Sequence, residues 1–271
     1  MDMKEQIIVI KVGGAVVEDE QTLGALIHDF AALPGRKVLV HGGGRSATRI
    51  AAQLGITSQM VGGRRITDTE MLDVVTMVYG GLVSKRLVAR LQAEGVNALG
   101  LTGADMDIIR SHKRPKKNVT MDDGSQQLVD FGWVGDVDRA DGKRLATLVE
   151  SGVVPVVAPL THDGEGHILN TNADTIAQTV ATALAPYYDV TLTYCFEKAG
   201  VLSNPDDDNS VISLITPSLF QQYRADGTIS GGMIPKMENA FQALQSGVKK
   251  VVITQATNLD GSHGTTIEMS E

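Results

Sequence analysis

Short apolar runs rich in β-branched residues recur along the chain, and segments with helical spacing of apolar residues separate them. The runs lie at 6–12, 36–41, 152–157 and 249–254. Such runs are typical of strands that are buried on both faces of a parallel sheet. The intervening pattern predicts helices, among them one around 23–30 and a long or broken helix across 71–91. This alternation predicts an α/β fold with an open sheet and helices on both faces.

Two of the predicted strands end in glycine clusters. Gly13 and Gly14 follow the first strand, and the three glycines at 42–44 follow the second. Glycine leaves the backbone N–H groups uncovered, so a phosphate can approach them closely. One glycine pair would favour a simple tight turn, whereas two such turns on neighbouring strands favour a phosphate site. Ligands of open α/β sheets bind at this carboxyl edge of the strands.

The second glycine cluster also permits a different ligand. Gly42, Gly44 and Ala47 satisfy the dinucleotide pattern G-x-G-x-x-A after a strand. The acidic residue that a dinucleotide site needs about 20 residues later is missing, and Arg64 and Arg65 stand there instead. An arginine could bind the 2′-phosphate of NADP, so an NADP-dependent oxidoreductase is an alternative. The sequence has no G-x-x-x-x-G-K-[ST], which excludes a kinase of the P-loop class.

Two lysines and an aspartate occupy unusual positions. Lys11 lies inside the first apolar strand, where a buried ammonium needs an anionic partner unless it reaches solvent from an edge strand. Lys236 lies in the first turn of a predicted helix, where a nearby anion such as phosphate would compensate the unfavourable helix dipole. Asn172 and Asp174 could simply cap another helix. Alternatively, Asp174 could hold both ammonium groups in place for a transferring phosphoryl group.

Composition narrows the class of function. The net charge of −8 over 271 residues argues against nucleic-acid binding, and the basic run at 110–117 is expected to be a solvated loop. Cys195 is the single cysteine, so a buried structural thiol in a reducing cytoplasm is expected. His41 is expected to serve in packing. No apolar stretch approaches the ~20 residues of a membrane span.

Five motifs occur in order along nearly the whole chain. They are K-V-G-G at 11–14, H-G-G-G at 41–44, G-R-R-I-T at 63–67, N-T-N-A-D at 170–174 and G-G-M-I-P-K at 231–236. Together they resemble the amino-acid kinase family, and the third and fourth motifs point to its acylglutamate branch. The resemblance implies a three-layer αβα sandwich with an open, mainly parallel sheet. It also implies an N-terminal acylglutamate-binding lobe at about 1–170 and a C-terminal ATP-binding lobe at about 171–271.

The resemblance implies the reaction and the residues that carry it. The γ-phosphate of ATP would pass to the side-chain carboxylate of N-acetyl-L-glutamate, a step of arginine biosynthesis, with Mg²⁺ held chiefly by the ATP phosphates and no metal ligand from the protein. The implied catalytic residues are Lys11, Lys236 and Asp174. The implied substrate-binding residues are Gly43, Gly44, Arg65 and Asn170. The implied phosphate-binding residues are Gly13 and Gly14. Because the acceptor carboxylate is already ionised, no general base is needed.

Three departures from the family pattern qualify these expectations. Glu197 stands where the family usually has an aspartate, so the nucleotide loop is expected to differ in shape. The first strand begins almost at once, without the extra N-terminal helix of arginine-inhibited members, which implies a homodimer insensitive to arginine. Arg64 replaces a commonly apolar residue. It is expected to point outward, but if it points inward it could pair with the distal carboxylate of N-succinyl-L-glutamate.

Other functions are compatible with the same residues. Another amino-acid kinase shares the first lysine–glycine turn, and a catalytically silent ligand sensor could keep the fold. The NADP-dependent oxidoreductase is the alternative from a different class of enzyme. The partner expected in every case is a small molecule, with neither nucleic acid nor a membrane involved.

Overall fold

The computed structural model describes residues 4–62, 64–120, 124–231, 233–259 and 263–269. Gly63 and Gly232, which belong to two of the motifs above, lie outside the described residues. In the described part of the chain, no helix combines the length and the apolar character that a membrane crossing requires.

Eight of the described strands form one sheet with its helices on both faces. In the order in which they lie side by side, they are β14 (Leu214–Ile215), β16 (Thr265–Ile267), β15 (Lys250–Gln255), β13 (Asp189–Phe196), β1 (Gln6–Val12), β2 (Arg36–His41), β10 (Val154–Val157) and β5 (Ala98–Leu101). Neighbouring strands run parallel except for β15 and β16. The predicted open, mainly parallel sheet is therefore confirmed, and the four apolar runs lie in it at nearly the predicted positions.

Smaller sheets flank this central one. A four-stranded sheet contains, in spatial order, β12 (Ile168–Asn170), β11 (Leu160–His162), β6 (Ile109–Lys113) and β9 (Gly135–Ala140). Two hairpins are formed by β3 (Met60–Val61) with β4 (Arg64–Arg65) and by β7 (Lys117–Thr120) with β8 (Gln126–Val129). The basic run at 110–117 thus lies mostly in strands β6 and β7, and the expected loop is limited to the three residues between them.

The α-helices of the described chain alternate with the strands. They are α1 (Gly14–Glu18), α2 (Glu20–Ala32), α3 (Gly44–Gln53), α4 (Thr69–Val75), α5 (Ser84–Ala93), α6 (Gly142–Glu150), α7 (Ala173–Leu184), α8 (Pro217–Ala225) and α9 (Met233–Gln245). A π-helix at Thr76–Val83 joins α4 to α5, so the long or broken helix predicted across 71–91 is continuous but widened at its centre. Such π segments place side chains that a regular helix would turn away.

The core has two layers, one on each face of the central sheet. In β1, Ile7 and Val9 pack with α6, α7 and α9, whereas Ile10 and Val12 pack with α2, α3, α4 and α5. The alternation follows from the strand geometry, because successive side chains point to opposite faces. Lys11 therefore shares a face with Ile7 and Val9, toward α7 and α9. The three-layer αβα arrangement expected from the resemblance is confirmed.

The two halves of the chain meet at the centre of the sheet. Strands β1, β2, β5 and β10 come from before Asn170, and β13 to β16 come from after it. The parallel pairing of β1 with β13 joins the two sets along seven residues of β1, from Gln6 to Val12. The division into a substrate lobe and a nucleotide lobe stays a prediction.

A close approach between α6 and α7 provides a stability test. A β-carbon on Gly142 would lie 1.9 Å from the carbonyl oxygen of Ala183, whereas one on Gly24, in the exposed part of α2, would meet nothing within 4 Å. Gly142→Ala should lower the free energy of unfolding by about 1–3 kcal/mol, because it overpacks a buried contact. Gly24→Ala should raise it by about 0.5–1 kcal/mol through helix propensity.

Urea unfolding of both variants and the wild type measures the two changes under identical conditions. Equal stability of the Gly142→Ala variant and the wild type would contradict the close packing of α6 on α7.

Candidate active site

The two glycine turns meet at the carboxyl edge of the sheet. Strands β1 and β2 are parallel neighbours, with Val12 opposite His41. A β-carbon on Gly14 would lie 3.6 Å from the nitrogen of Gly44 and 3.7 Å from that of Gly43. A β-carbon on Gly42 would lie only 3.2 Å from the nitrogen of Gly14, closer than an ordinary contact, so a glycine at position 42 favours this close approach of the two backbones. The prediction that the turns lie on neighbouring strands is confirmed.

Backbone N–H groups are concentrated where these turns meet. Helix α3 begins at Gly44, and its N-cap is Gly43, a residue without a capping side chain. The first N–H groups of a helix lack partners within the helix, and the helix dipole is positive there. A phosphate group is the kind of ligand that satisfies both properties. Gly13, Gly14, Gly43 and Gly44 are thus brought together in a cradle that fits a transferring phosphate.

Lys11 is buried and paired. Its side chain is 9% exposed, and its Nζ lies 2.7 Å from Oδ1 of Asp174, whose side chain is 30% exposed. Asp174 is in the first turn of α7, which Asn172 caps by accepting hydrogen bonds from the N–H groups of Asp174 and Thr175. Asn172 therefore caps α7, and Asp174 pairs with Lys11, while the role of Asp174 in phosphoryl transfer stays a prediction. The alternative of an edge-strand lysine is wrong because β1 is central.

Lys236 reaches the same place from the first turn of α9. Its Nζ lies 4.0 Å from the ring centroid of Phe196, and Lys11 Nζ lies 5.4 Å from the same centroid. Burial lowers the pKa of Lys236, the nearby carboxylate of Asp174 opposes this, and the charge of Lys11 adds to it. The predicted pair of lysines is therefore brought together, with the carboxylate of Asp174 paired to Lys11 and close enough to Lys236 to act on its charge. A further anion would relieve the remaining repulsion.

The larger cavity at this edge lies on the side of the second half of the chain. It has a volume of about 610 Å³ and opens onto the glycine turns. Its polar end contains Gly13, Gly14 and Lys236, and its walls include apolar side chains from three segments of the chain, Val201, Leu202, Pro205, Met233 and Ile253. An apolar cleft with a phosphate cradle and a cation at one end has the form expected of a nucleotide site.

The loop after β13 contains an ion pair that sequence reasoning missed. Glu197, which replaces the usual aspartate, lies 3.3 Å from Nη2 of Arg45 at the start of α3. Both side chains are largely exposed, so the pair contributes little stability. It links the loop after β13 to the second glycine turn. No local pattern would reveal it, because the two residues lie 152 positions apart.

A smaller cavity of about 250 Å³ lies on the other side of the second glycine turn. Its lining includes Gly43, Gly44, Arg65 and Asn170, the four residues predicted to bind substrate. All four are thus brought together. Tyr79 of the π-helix also lines it and packs so closely on Gly43 that a β-carbon there would lie 2.8 Å from the ring. Sequence reasoning missed Tyr79, because a widened helix has no simple periodic signal.

Arg65 is held in place by neutral groups. Its Nη2 donates to the carbonyl oxygen of Gly44 at 2.9 Å and to Oγ1 of Thr48 at 2.8 Å, and Nη1 donates to the hydroxyl of Ser58. None of these acceptors neutralises the guanidinium charge. Arg65 is therefore positioned in the cavity with its charge available for an anionic ligand.

Asn170 ends β12 beside the same cavity. Its Nδ2 donates to Oγ1 of Thr67 at 3.0 Å, and its backbone N–H donates to the carbonyl oxygen of Trp133. The side-chain hydrogen bond fixes the amide, so its oxygen is available as an acceptor. Asn170 thus offers the cavity a polar group of defined orientation.

Arg64 lines the cavity as well, together with Arg114 and Asp136. Arg64 is exposed, as expected of a surface charge, but it also lies close to the charged groups of the cavity: partial desolvation lowers its pKa, and the charge of Arg114 lowers it further. This proximity arises from the tertiary structure. Hairpin β3–β4 places Arg64 against the start of β9, which a reading of the local sequence cannot show.

Comparisons with known proteins bear on this site. The amino acid kinase family matches residues 6–255. An acetylglutamate kinase from Bacteroides thetaiotaomicron is 62% identical over 266 residues, which are 98% of this chain and 100% of the relative. The chain belongs to the amino acid kinase family. Of the two classes of enzyme that the sequence left open, a kinase and an NADP-dependent oxidoreductase, this membership supports the kinase.

Solved structures agree with this fold. A Streptococcus mutans protein, smu.665, has a TM-score of 0.73 and 29% identity, and the match covers 97% of this amino acid kinase and 99% of that chain. N-acetylglutamate synthase from Neisseria gonorrhoeae, complexed with coenzyme A and N-acetyl-glutamate, has a TM-score of 0.76 and 23% identity. The match covers 99% of this chain and 61% of that chain, and at this identity it shows the fold alone.

Two buried groups of this amino acid kinase lie beside the glycine turns. His41 is fully buried, and its Nδ1 lies 2.8 Å from the carbonyl oxygen of Gly42, to which it donates. Burial lowers the pKa of His41 to about 4 and raises the pKa of the Cys195 thiol to about 12. A histidine with so low a pKa is a weak base, and a thiol that stays protonated at neutral pH is a weak nucleophile. The packing roles predicted for both residues agree with this geometry.

The low pKa of His41 gives the fold a dependence on acid. The unfolded histidine binds its proton near the ordinary value of 6.5, while the folded one binds it only near 4. Between these values the unfolded state binds more protons, so stability falls as pH falls. On lowering the pH from 7 to 4.5, the His41→Gln variant should lose on the order of 2 kcal/mol less free energy of unfolding than the wild type.

Urea unfolding at the two pH values measures this difference. His28→Gln, which changes an exposed side chain, is the matched control. Identical acid sensitivity of the wild type and the His41→Gln variant would contradict the buried neutral imidazole.

Proposed function

We propose that this chain catalyses ATP-dependent phosphorylation of the side-chain carboxylate of N-acetyl-L-glutamate, a reaction of arginine biosynthesis. The observation that carries the proposal is the meeting of two cavities, one suited to a nucleotide and one to a small anion, at a glycine cradle flanked by Lys11 and Lys236. The name of the Bacteroides thetaiotaomicron relative, acetylglutamate kinase, agrees with this assignment.

Substrate binding follows from the charges of the smaller cavity. Arg65 would bind the α-carboxylate of the acylated glutamate, because its guanidinium is held by neutral acceptors. Asn170 would hydrogen-bond near the same group. The side-chain carboxylate would then extend toward Gly43 and Gly44, where the two cavities meet.

The chemistry needs position and positive charge. One oxygen of the substrate carboxylate attacks the γ-phosphorus, the new oxygen–phosphorus bond forms, and the bond to the leaving ADP oxygen breaks. The products are an acyl phosphate and ADP, and no proton has to be removed from the ionised carboxylate. Lys11 and Lys236 would neutralise charge on the transferring group, and Asp174 would hold Lys11 in place.

The nucleotide requirements follow from the same cradle. Gly13, Gly14 and the start of α3 would hold the phosphates of ATP through backbone N–H groups. Mg²⁺, held chiefly by those phosphates, supplies additional neutralising charge when bound. Asp163, Glu165 and His167 have ligand atoms close enough to one another to share a cation, but they lie in the exposed loop between β11 and β12 and line neither cavity.

Two substitutions test the roles of the lysines. Lys11→Ala and Lys236→Ala should each lower kcat by about two to three orders of magnitude, the effect of losing a group that stabilises charge in the transition state. Both variants should fold, because the carboxylate of Asp174 keeps the other lysine nearby. A coupled assay of ADP release with N-acetyl-L-glutamate measures the loss, and circular dichroism checks the fold.

Lys249→Ala is the matched control, since Lys249 also pairs with an aspartate, Asp189, at 2.6 Å but lies at the amino ends of β13 and β15, on the opposite edge of the sheet from the glycine turns. It should keep wild-type kcat. A folded Lys11→Ala or Lys236→Ala variant with near-normal kcat would refute the role of that lysine.

The homodimeric state, the insensitivity to arginine and the cytoplasmic location stay predictions from the family resemblance. Light scattering should show a mass of twice 28.8 kDa, and activity should be unchanged in millimolar arginine. A hexamer in solution would refute the first of these.

A further inference from the structure

The smaller cavity contains more positive charge than one substrate carboxylate can neutralise. Among the described residues, three arginines line this cavity, Arg64, Arg65 and Arg114, and Asp136 is the one acidic residue beside them. Arg65 donates to neutral acceptors. The α-carboxylate of glutamate therefore compensates one of the two remaining charges, and the other has no counterpart in an N-acetyl substrate.

Asp136 forms an ion pair with Arg114, and its charge is therefore neutralised within the protein. Nε of Arg114 lies 3.1 Å from each carboxylate oxygen of Asp136, and Nη2 lies 2.5 Å from Oδ1. Arg114 is 12% exposed and also lies over the ring of Phe131, 5.6 Å from its centroid. The hydrogen bonds from Arg114 hold the pKa of Asp136 below its usual range. This pair forms a fixed wall of the cavity.

Arg64 is the group without an anionic partner. Within the described ranges, it forms no ion pair at 4.0 Å or less, although Asp136 is close enough to act on it electrostatically. Burial against this wall removes part of its hydration, and the neighbouring guanidinium of Arg114 repels it. A desolvated cation beside another cation is stabilised by a second anion.

This guanidinium belongs to the same cavity as the predicted α-carboxylate site. Arg64 and Arg65 both line that cavity, and Val134, two residues before Asp136, forms a parallel bridge with Asn170. A ligand gripped by Arg65 and Asn170 therefore has the wall of Arg114 and Asp136 within reach of its acyl group.

We infer that Arg64 forms an anion subsite at the acyl end of the cavity, so that the preferred substrates are N-acyl-L-glutamates whose acyl group itself ends in a carboxylate, such as N-succinyl-L-glutamate. The inference rests on the proposed function, because it concerns the same reaction at the same site. It goes beyond the proposed function because it assigns to Arg64 the selectivity of the enzyme for one acyl group over another. A guanidinium binds a carboxylate through charge-assisted and often bidentate hydrogen bonds.

Three substrates separate charge from size. The assay of ADP release compares kcat/KM for N-acetyl-, N-butanoyl- and N-succinyl-L-glutamate, of which the last two have four-carbon acyl groups and differ in the terminal carboxylate. The wild type should prefer the succinyl over the butanoyl substrate by about tenfold or more, the effect expected of one charge-assisted pair. Arg64→Gln should abolish this preference, and Arg64→Lys should keep a part of it.

Arg224→Gln, which removes an exposed arginine of α8 that lines neither cavity, is the control and should keep the full preference. Two outcomes would overturn the inference: an equal ratio of kcat/KM for the succinyl and butanoyl substrates in the wild type and Arg64→Gln, or a wild type that does not prefer the succinyl substrate. In either case, turnover of N-acetyl-L-glutamate would still support the proposed function. Turnover of none of the three would overturn both. If Arg64→Gln does not fold, the wild-type substrate comparison and Arg64→Lys decide.

Discussion

The ion pair between Lys11 and Asp174 connects the two halves of the chain at the point where a phosphoryl group would be transferred. A lysine in a central strand loses most of its hydration, so it is tolerated because a carboxylate lies 2.7 Å away. That carboxylate is placed by the first turn of α7, after the chain has completed its first four central strands. The ion pair thus joins β1, which pairs with β13, to the first turn of α7, and this contact depends on the charge of Lys11.

The same geometry divides the work between backbone and side chains. The backbone at Gly14 and Gly44 is close enough to present N–H groups to one phosphate, and a side chain at Gly42 would crowd the nitrogen of Gly14. The lysines contribute charge from the opposite side, with the ring of Phe196 close to both. Because the acceptor is already an anion, the site has to reduce repulsion between reactants, which explains the excess of cations around so few carboxylates.

Positive charge also exceeds negative charge in the smaller cavity, away from the reacting atoms. Arg65 is oriented by neutral acceptors, which hold it without using its charge, whereas Arg114 is neutralised by Asp136 and becomes part of the wall. Two arginines of the same cavity therefore have different functions that their residue type does not reveal. Tyr79, brought to Gly43 by a π-helix, closes the cavity on its other side.

Local sequence pattern determined the α/β class, β1, β2, β10 and β15, and the motif residues of the site, because buried strands need apolar runs and close turns need glycine. The ordered motifs identified the family. Tertiary structure decided what depends on distant partners: the place of β13 beside β1, the ion pair of Arg45 with Glu197, and the position of Arg64 in one cavity with Arg114 and Asp136. These contacts join residues far apart in sequence, and a local pattern records a residue's own burial but not the identity of the group that it will meet.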